Sequence, residues 1–156
     1  MTYIWKYSSP LGVITLASDG DNITGLWFER QKHYLGDVKE YQEKHLTIFD
    51  KTIKWLDIYF KAENPNIKIP IKFNGTDFRC KVWNELTKIP YGKVISYGDI
   101  AKTLKTSARA VGNAVGYNPI SIIVPCHRVI GSDGSLTGYA GGLNIKKELL
   151  KLEKVK

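Results

Sequence analysis

The apolar run Ile120 to Val124, ISIIV, ends abruptly at Pro125-Cys126-His127-Arg128, so a thiol, an imidazole and a guanidinium follow one another directly. The thiolate is the nucleophilic form of cysteine and an imidazole is a suitable acceptor for its proton, so covalent chemistry on sulfur is what these residue types could do. In a strand-like segment side chains alternate between faces, and Cys126 and His127 are therefore not expected to touch directly. Glu148 is an available carboxylate to orient the imidazole, on a last helix that Asn144 could cap; on the residues alone it reads first as an ordinary helix-surface residue paired with nearby lysines. Cys80, between Arg79 and Lys81, reads as a small buried side chain or a plain exposed thiol. Two cysteines, even joined by His33, His45 and His127, fall short of a thiolate metal cage and exclude a disulfide-dense secreted scaffold. No metal and no cofactor are expected.

The elements that must carry these groups fall into two halves. Tyr3 to Tyr7, Val13 to Ala17 and Ile23 to Phe28 are rich in β-branched and aromatic residues and are separated by SSPLG and SDGDN, which predicts an antiparallel meander. Phe49, Ile53, Leu56 and Phe60 then recur at helical spacing and would lay one stripe over the sheet. After the Pro- and Asn-rich stretch Ala62 to Thr76, Thr76 can cap a helix with Phe78, Val82, Leu86 and Ile89 on one side. Ser96 with Asp99 starts a second helix, and Ser107 caps a third, Ala108 to about Val115, after only Lys105 and Thr106. That is a helix-turn-helix pattern. The expected fold class is α+β, with residues 1–70 a small antiparallel sheet plus helix and residues 75–156 a mostly helical, winged-helix-like unit.

The third helix is nearly bare: Ala108, Ala110, Gly112, Ala114 and Gly116 leave Arg109 as its one long cation. Two helical glycines cost about 1 kcal/mol each relative to alanine, so something must come close to this helix, either a neighbouring helix or a nucleic-acid backbone. Charge bears on that choice. Up to Asn74 there are ten Lys/Arg against nine Asp/Glu, whereas Gly75 to Lys156 carries thirteen against six. A near-neutral half joined to one of net +7 suggests a surface built for a polyanion. No apolar run approaches the roughly 20 residues that cross a bilayer, and MTYIWKYSSP lacks a secretory core, so a soluble cytoplasmic protein, most simply a monomer, is expected.

Three segments in register then resemble one family. IPYGKVISYGDIA, SARAVGNAVGYNPISIIVPCHRVIGSDGSLTGYAGGL and KKELLKLE look like the O6-alkylguanine-DNA alkyltransferases over about Thr76 to Glu153. The resemblance implies Cys126 as alkyl acceptor, His127 as the base that takes its proton through a water, and Glu148 as the carboxylate orienting that base. It implies that Asn118 braces the active-site turn and that Tyr97 donates a hydrogen bond to a flipped base. Arg109 would fill the gap left in double-stranded DNA, with Ser107, Ala110, Gly112 and Arg128 also at the DNA. Tyr139, Ala140, Gly141 and Val129 would form the base pocket. Such a transfer leaves a thioether with no simple hydrolytic exit, so one alkyl group per molecule is expected. Two other readings stay open on the residues alone: a helix-turn-helix regulator with a structural Cys126, and a cysteine hydrolase.

Overall fold

The structure, a computed structural model, describes residues 1–155. Strands β1 (Thr2–Ser9), β2 (Gly12–Ser18) and β3 (Ile23–Phe28) form the expected meander, and a short β4 (Tyr41–Glu43) adds to β1 in parallel, giving the order β3-β2-β1-β4. The register Trp5↔Leu16 and Leu16↔Leu26 stacks alternate residues onto one face. That face joins the main core under helix α1 (Thr47–Phe60). On α1 the buried set is Ile48, Phe49, Thr52, Leu56 and Tyr59, so the inward stripe runs through Tyr59 rather than through Ile53 and Phe60, which are half-buried. The opposite face, with Ile4, Ala17 and Trp27, is covered by Tyr34, Leu35 and Val38 from the loop after β3.

Thr76 accepts from the Arg79 N–H at the start of helix α2 (Asp77–Leu86). Ser96 and Asp99 form a reciprocal capping box at helix α3 (Tyr97–Leu104), and Ser107 caps helix α4 (Ala108–Gly116). Lys105 turns the chain between α3 and α4 in a left-handed conformation, φ +57°. Strands β5 (Ile95–Ser96) and β6 (Val129–Ile130) pair in parallel, and helix α5 (Leu143–Leu152) closes the described chain. The α5 N-cap is Gly142, and Asn144 lies inside the helix.

The bare helix packs closely on its neighbour. Its inner face, Val111, Ala114 and Val115, is buried, and the Ala114 carbonyl accepts the Trp83 indole N–H of α2 at 2.8 Å. Its outer residues Ala108, Arg109 and Asn113 are exposed.

The stretch expected as a boundary is not a free tether. Ile23 N–H donates to the Pro70 carbonyl and Lys72 N–H returns to Ile23 along the edge of β3. Farther along the same edge, Leu26 N–H donates to Pro119 and Ser121 N–H to the Leu26 carbonyl. One apolar core runs through both halves. The sheet of the amino half is therefore the frame onto which the segment leading to Cys126 is stitched. Among the described residues no helix is long and apolar enough to cross a membrane.

Candidate active site

Ile120 to Val124 is not a strand. Past the single bridge at Ile120, the run is a tight turn organised by Asn118. The Asn118 amide donates to the Val124 carbonyl at 2.9 Å and accepts from Ile120 N–H at 3.0 Å, satisfying backbone groups that a strand would have paired with a neighbour. Ile122, β-branched, sits at φ +68°, a conformation unfavourable for such a residue and held by these bonds. The turn delivers Cys126 onto a short 3-10 helix, Cys126–Arg128, that replaces alternating strand geometry. Asn118 thus bonds both ends of the turn that precedes Cys126.

Cys126 is 4% exposed and lies in the wall of a cavity of about 310 Å³. Tyr97, Gly112, Val115, Tyr139 and Ala140 share that wall, and Lys32 and His33 reach it from the loop after β3. Lys32 N–H donates to the Ala140 carbonyl at 3.0 Å, which fastens the loop after β3 to the cavity rim. Gly141 is just outside: a Cβ there would stand 2.8 Å from the Tyr139 ring and 3.3 Å from Phe28, so glycine leaves room for the Tyr139 ring. Val129 does not line the cavity. Its side chain is fully buried in the core, and its carbonyl accepts from the Lys146 ammonium at 2.6 Å.

Behind the cysteine lies a buried charge relay. His127 is fully buried and its Nε2 is 2.5 Å from Glu153 Oε2. With Nε2 carrying the proton to the carboxylate, Nδ1 is the unprotonated ring atom, buried and without a hydrogen-bond partner among the described residues. Glu153 receives three further donors: Tyr59 hydroxyl at 2.6 Å, Arg128 Nε at 2.8 Å and the Gly92 N–H at 2.9 Å. The carboxylate on His127 is therefore Glu153, not Glu148, which is exposed on the outer side of α5. The sequence did hold the signal. Lys146, Leu149, Leu150 and Glu153 follow i, i+3, i+4, i+7 spacing on the inward stripe, and two charges on an apolar stripe mark buried polar work, while Glu148 lies off it.

Arg128 is also placed differently from expectation. It is 8% exposed, and besides Glu153 it donates Nη1 to the Ile89 carbonyl at 2.7 Å, so it faces the interior and not DNA. Lys146, not anticipated, is fully buried and spends its three N–H bonds on the carbonyls of Val129, Thr137 and Gly138. It ties β6 to the loop that carries Tyr139. Tyr97 lines the cavity and its hydroxyl donates to the Thr137 carbonyl at 3.1 Å. Ser107 is committed to the α4 cap through Ala110 N–H. Arg109, exposed at the outer face of α4, stands with Ser107, Ala110 and Asn113 around an open depression, and Gly112 faces the Tyr97 ring.

Burial sets the protonation states. It pushes the Cys126 thiol up, against the opposing influence of Asn118 and Lys146. It also holds the His127 imidazole below its ordinary value in spite of Glu153. For Glu153, burial alone would raise the carboxyl, but the bonds from His127, Arg128 and Gly92 bring it down to about 2. Lys146 is lowered by burial to about 8. The resting site is a neutral thiol beside a neutral imidazole backed by a carboxylate. The thiol and imidazole are not hydrogen-bonded to each other in the structure.

A helix-turn-helix unit with a cavity-lining cysteine, docked on a small sheet, is the class this fold and site define. Two family models cover the chain: 6-O-methylguanine DNA methyltransferase, ribonuclease-like domain, at residues 2–73, and 6-O-methylguanine DNA methyltransferase, DNA binding domain, at residues 77–155. The chain belongs to the 6-O-methylguanine DNA methyltransferase family. It is 42% identical to a methylated-DNA–protein-cysteine methyltransferase of Haemophilus influenzae, over 98% of this chain and 87% of that protein. Against the enzyme of that name from Mycobacterium tuberculosis it is 45% identical over 99% of this chain and 93% of the relative. A crystal structure of the M. tuberculosis protein in complex with DNA superposes with a TM-score of 0.89 at 42% identity, covering 97% of this chain and 92% of that one.

Proposed function

We infer that this protein is a methylated-DNA–protein-cysteine methyltransferase that moves an alkyl group from O6 of guanine in duplex DNA to Cys126, once per molecule. The observation that carries the reading is a thiol in the wall of a cavity near the lower limit of small-molecule pockets, adjoining a buried His127–Glu153 pair whose Nδ1 is free. In the reaction the Cys126 proton passes through a water to His127 Nδ1, and the Sγ attacks the alkyl carbon. The carbon–O6 bond breaks as the carbon–sulfur bond forms. The imidazolium proton then returns by solvent to the purine, leaving guanine with its N1–H and keto oxygen, and a thioether on the protein.

Ordinary thiols of pKa about 8.5 are only ~7% ionised near pH 7.4, and burial makes the Cys126 thiolate scarcer still. Rate must therefore come from base assistance, from holding sulfur in line with the alkyl carbon, and from stabilising the departing guanine. Tyr97 suits the last role when its hydroxyl turns from the Thr137 carbonyl to the base. Extrusion of the base costs a few kcal/mol, less for a damaged pair, and Arg109, exposed on α4, is the side chain we assign to the space left behind. The basic carboxy half supplies sequence-independent phosphate binding, weakening as salt rises. Residues 1–70 act as support for the unit formed by 75–156. One chain holds every residue of cavity and relay, which suits a monomer, and a free thiol suits the reducing cytoplasm.

The test is stoichiometry. With a duplex carrying one O6-methylguanine in excess, repaired guanine is expected to stop at one equivalent of protein, and continued product formation would overturn suicide transfer.

A further inference from the structure

Helix α1 belongs to the amino half, yet one of its side chains ends on the relay. Tyr59 is fully buried, its ring stacked on Trp55 at 5.5 Å and 7°, and set edge-on to the His127 ring at 6.5 Å and 74°. Its hydroxyl lies 2.6 Å from Glu153 Oε2, the same oxygen that meets His127 Nε2, and 3.5 Å from Nε2 itself. We propose that Tyr59 is a positioning residue for alkyl transfer: from across the interface between the halves, its phenol fixes the Glu153 oxygen that orients His127 and limits how strongly that carboxylate holds the imidazolium. The proposal rests on His127 being the base.

A carboxylate oxygen bonded to a phenol O–H has part of its charge satisfied and attracts a second donor less. The phenol is a dependable donor, because burial and then the Glu153 charge keep it protonated far above working pH. The other groups facing the pair are Arg128 from the 3-10 helix, Lys146 from α5, Tyr139 from the cavity wall, and Tyr91 with the Gly92 N–H from the turn after α2; Glu63 in turn faces Tyr91. Among the described residues, Tyr59 alone shares Oε2 with the imidazole, since Arg128 and Gly92 both bond Oε1. Removing its hydroxyl should therefore strengthen the carboxylate's hold on imidazolium, keep His127 protonated to higher pH, and let the ring swing.

The experiment compares wild type, Tyr59→Phe and His127→Gln in single-turnover transfer from a duplex bearing one O6-methylguanine, across pH 5 to 8. In parallel, the His127 ring of the DNA-free protein is titrated by NMR. For Tyr59→Phe we expect the acidic limb and the ring titration to move upward together by about half to one pH unit, giving about 3- to 10-fold slower transfer below the limb and a smaller loss above it. Lowered thermal stability with limb and titration unmoved would mean that Tyr59 only packs, and would overturn the proposal. His127→Gln separates the two levels: an acidic limb that persists in it defeats the base reading, whereas its disappearance there, with no shift in Tyr59→Phe, defeats the Tyr59 proposal alone. Should Tyr59→Phe not fold, a ring-fluorinated tyrosine at 59, a stronger donor of nearly the same shape, should move both readouts downward, and no movement refutes the proposal.

Discussion

Replacing Glu153 by glutamine tests the buried relay through stability as well as rate. The carboxyl sits at about 2 in the folded protein against an ordinary 4.5, with its side chain fully buried. That difference corresponds to roughly 3 kcal/mol of folding free energy at neutral pH. Because the folded pKa is depressed, the contribution is complete above about pH 4.5 and is lost as pH falls toward 2. By pH 3.5 a little under half of it has gone. Glutamine also leaves the Arg128 guanidinium, 8% exposed, without its counter-charge, and breaking such a buried pair costs about 3–5 kcal/mol. Urea unfolding of wild type and Glu153→Gln at pH 7 and pH 3.5 should show a deficit of about 3–5 kcal/mol that narrows by about 1 kcal/mol in acid. Glu148→Gln, on the exposed side of α5, should stay within about 0.5 kcal/mol of wild type at both values. A Glu153→Gln deficit under about 1 kcal/mol, or one independent of pH, would refute the assignment of Glu153 as the buried counter-charge.

Three further outcomes follow from particular contacts. Asn118→Ala strips partners from Ile120 N–H and the Val124 carbonyl, so it should destabilise by about 1–3 kcal/mol in urea unfolding and slow transfer more than it weakens DNA binding in a gel-shift titration. Gly141→Ala forces a methyl toward the Tyr139 ring, pushing it into the cavity, and should slow transfer from duplex DNA with affinity for undamaged duplex unchanged. For Arg109→Ala, with α4 packing intact, transfer from a stacked lesion in duplex should fall more than transfer from a free O6-alkylguanine base; equal losses would remove Arg109 from base extrusion.

What could be read from the sequence was what is decided locally. Thr76, Ser96 and Ser107 each satisfy a helix N–H within three residues, so the starts of α2, α3 and α4 were visible as patterns. The meander was visible because turn-forming residues separate β-branched runs, whereas β4 is three exposed residues with no such signature. Ile120 to Val124 misled because its apolar, β-branched composition is that of a strand, while its conformation is decided by one asparagine upstream. The site divides the same way. Cys126, His127, Asn118, Tyr97, Tyr139 and Ala140 converge on one place, the first two from a segment marked by its residue types and the other four from segments marked only by the family resemblance. Glu153, Lys146 and the inward turn of Arg128 depend on how α5 docks, and Tyr59 depends on the amino half closing over it. Only the helical phase of α5, with charge on its apolar stripe, offered a clue to two of them.

The claim on which all else depends is that the Cys126 sulfur keeps the alkyl carbon. Reduced protein should be mixed with a duplex containing one O6-methylguanine, digested, and its peptides weighed. The result expected is one added methyl group on the peptide containing Cys126, none on the peptide containing Cys80, and none anywhere in Cys126→Ala. An unmodified Cys126 beside repaired DNA, or a methyl group on any other residue, would contradict it.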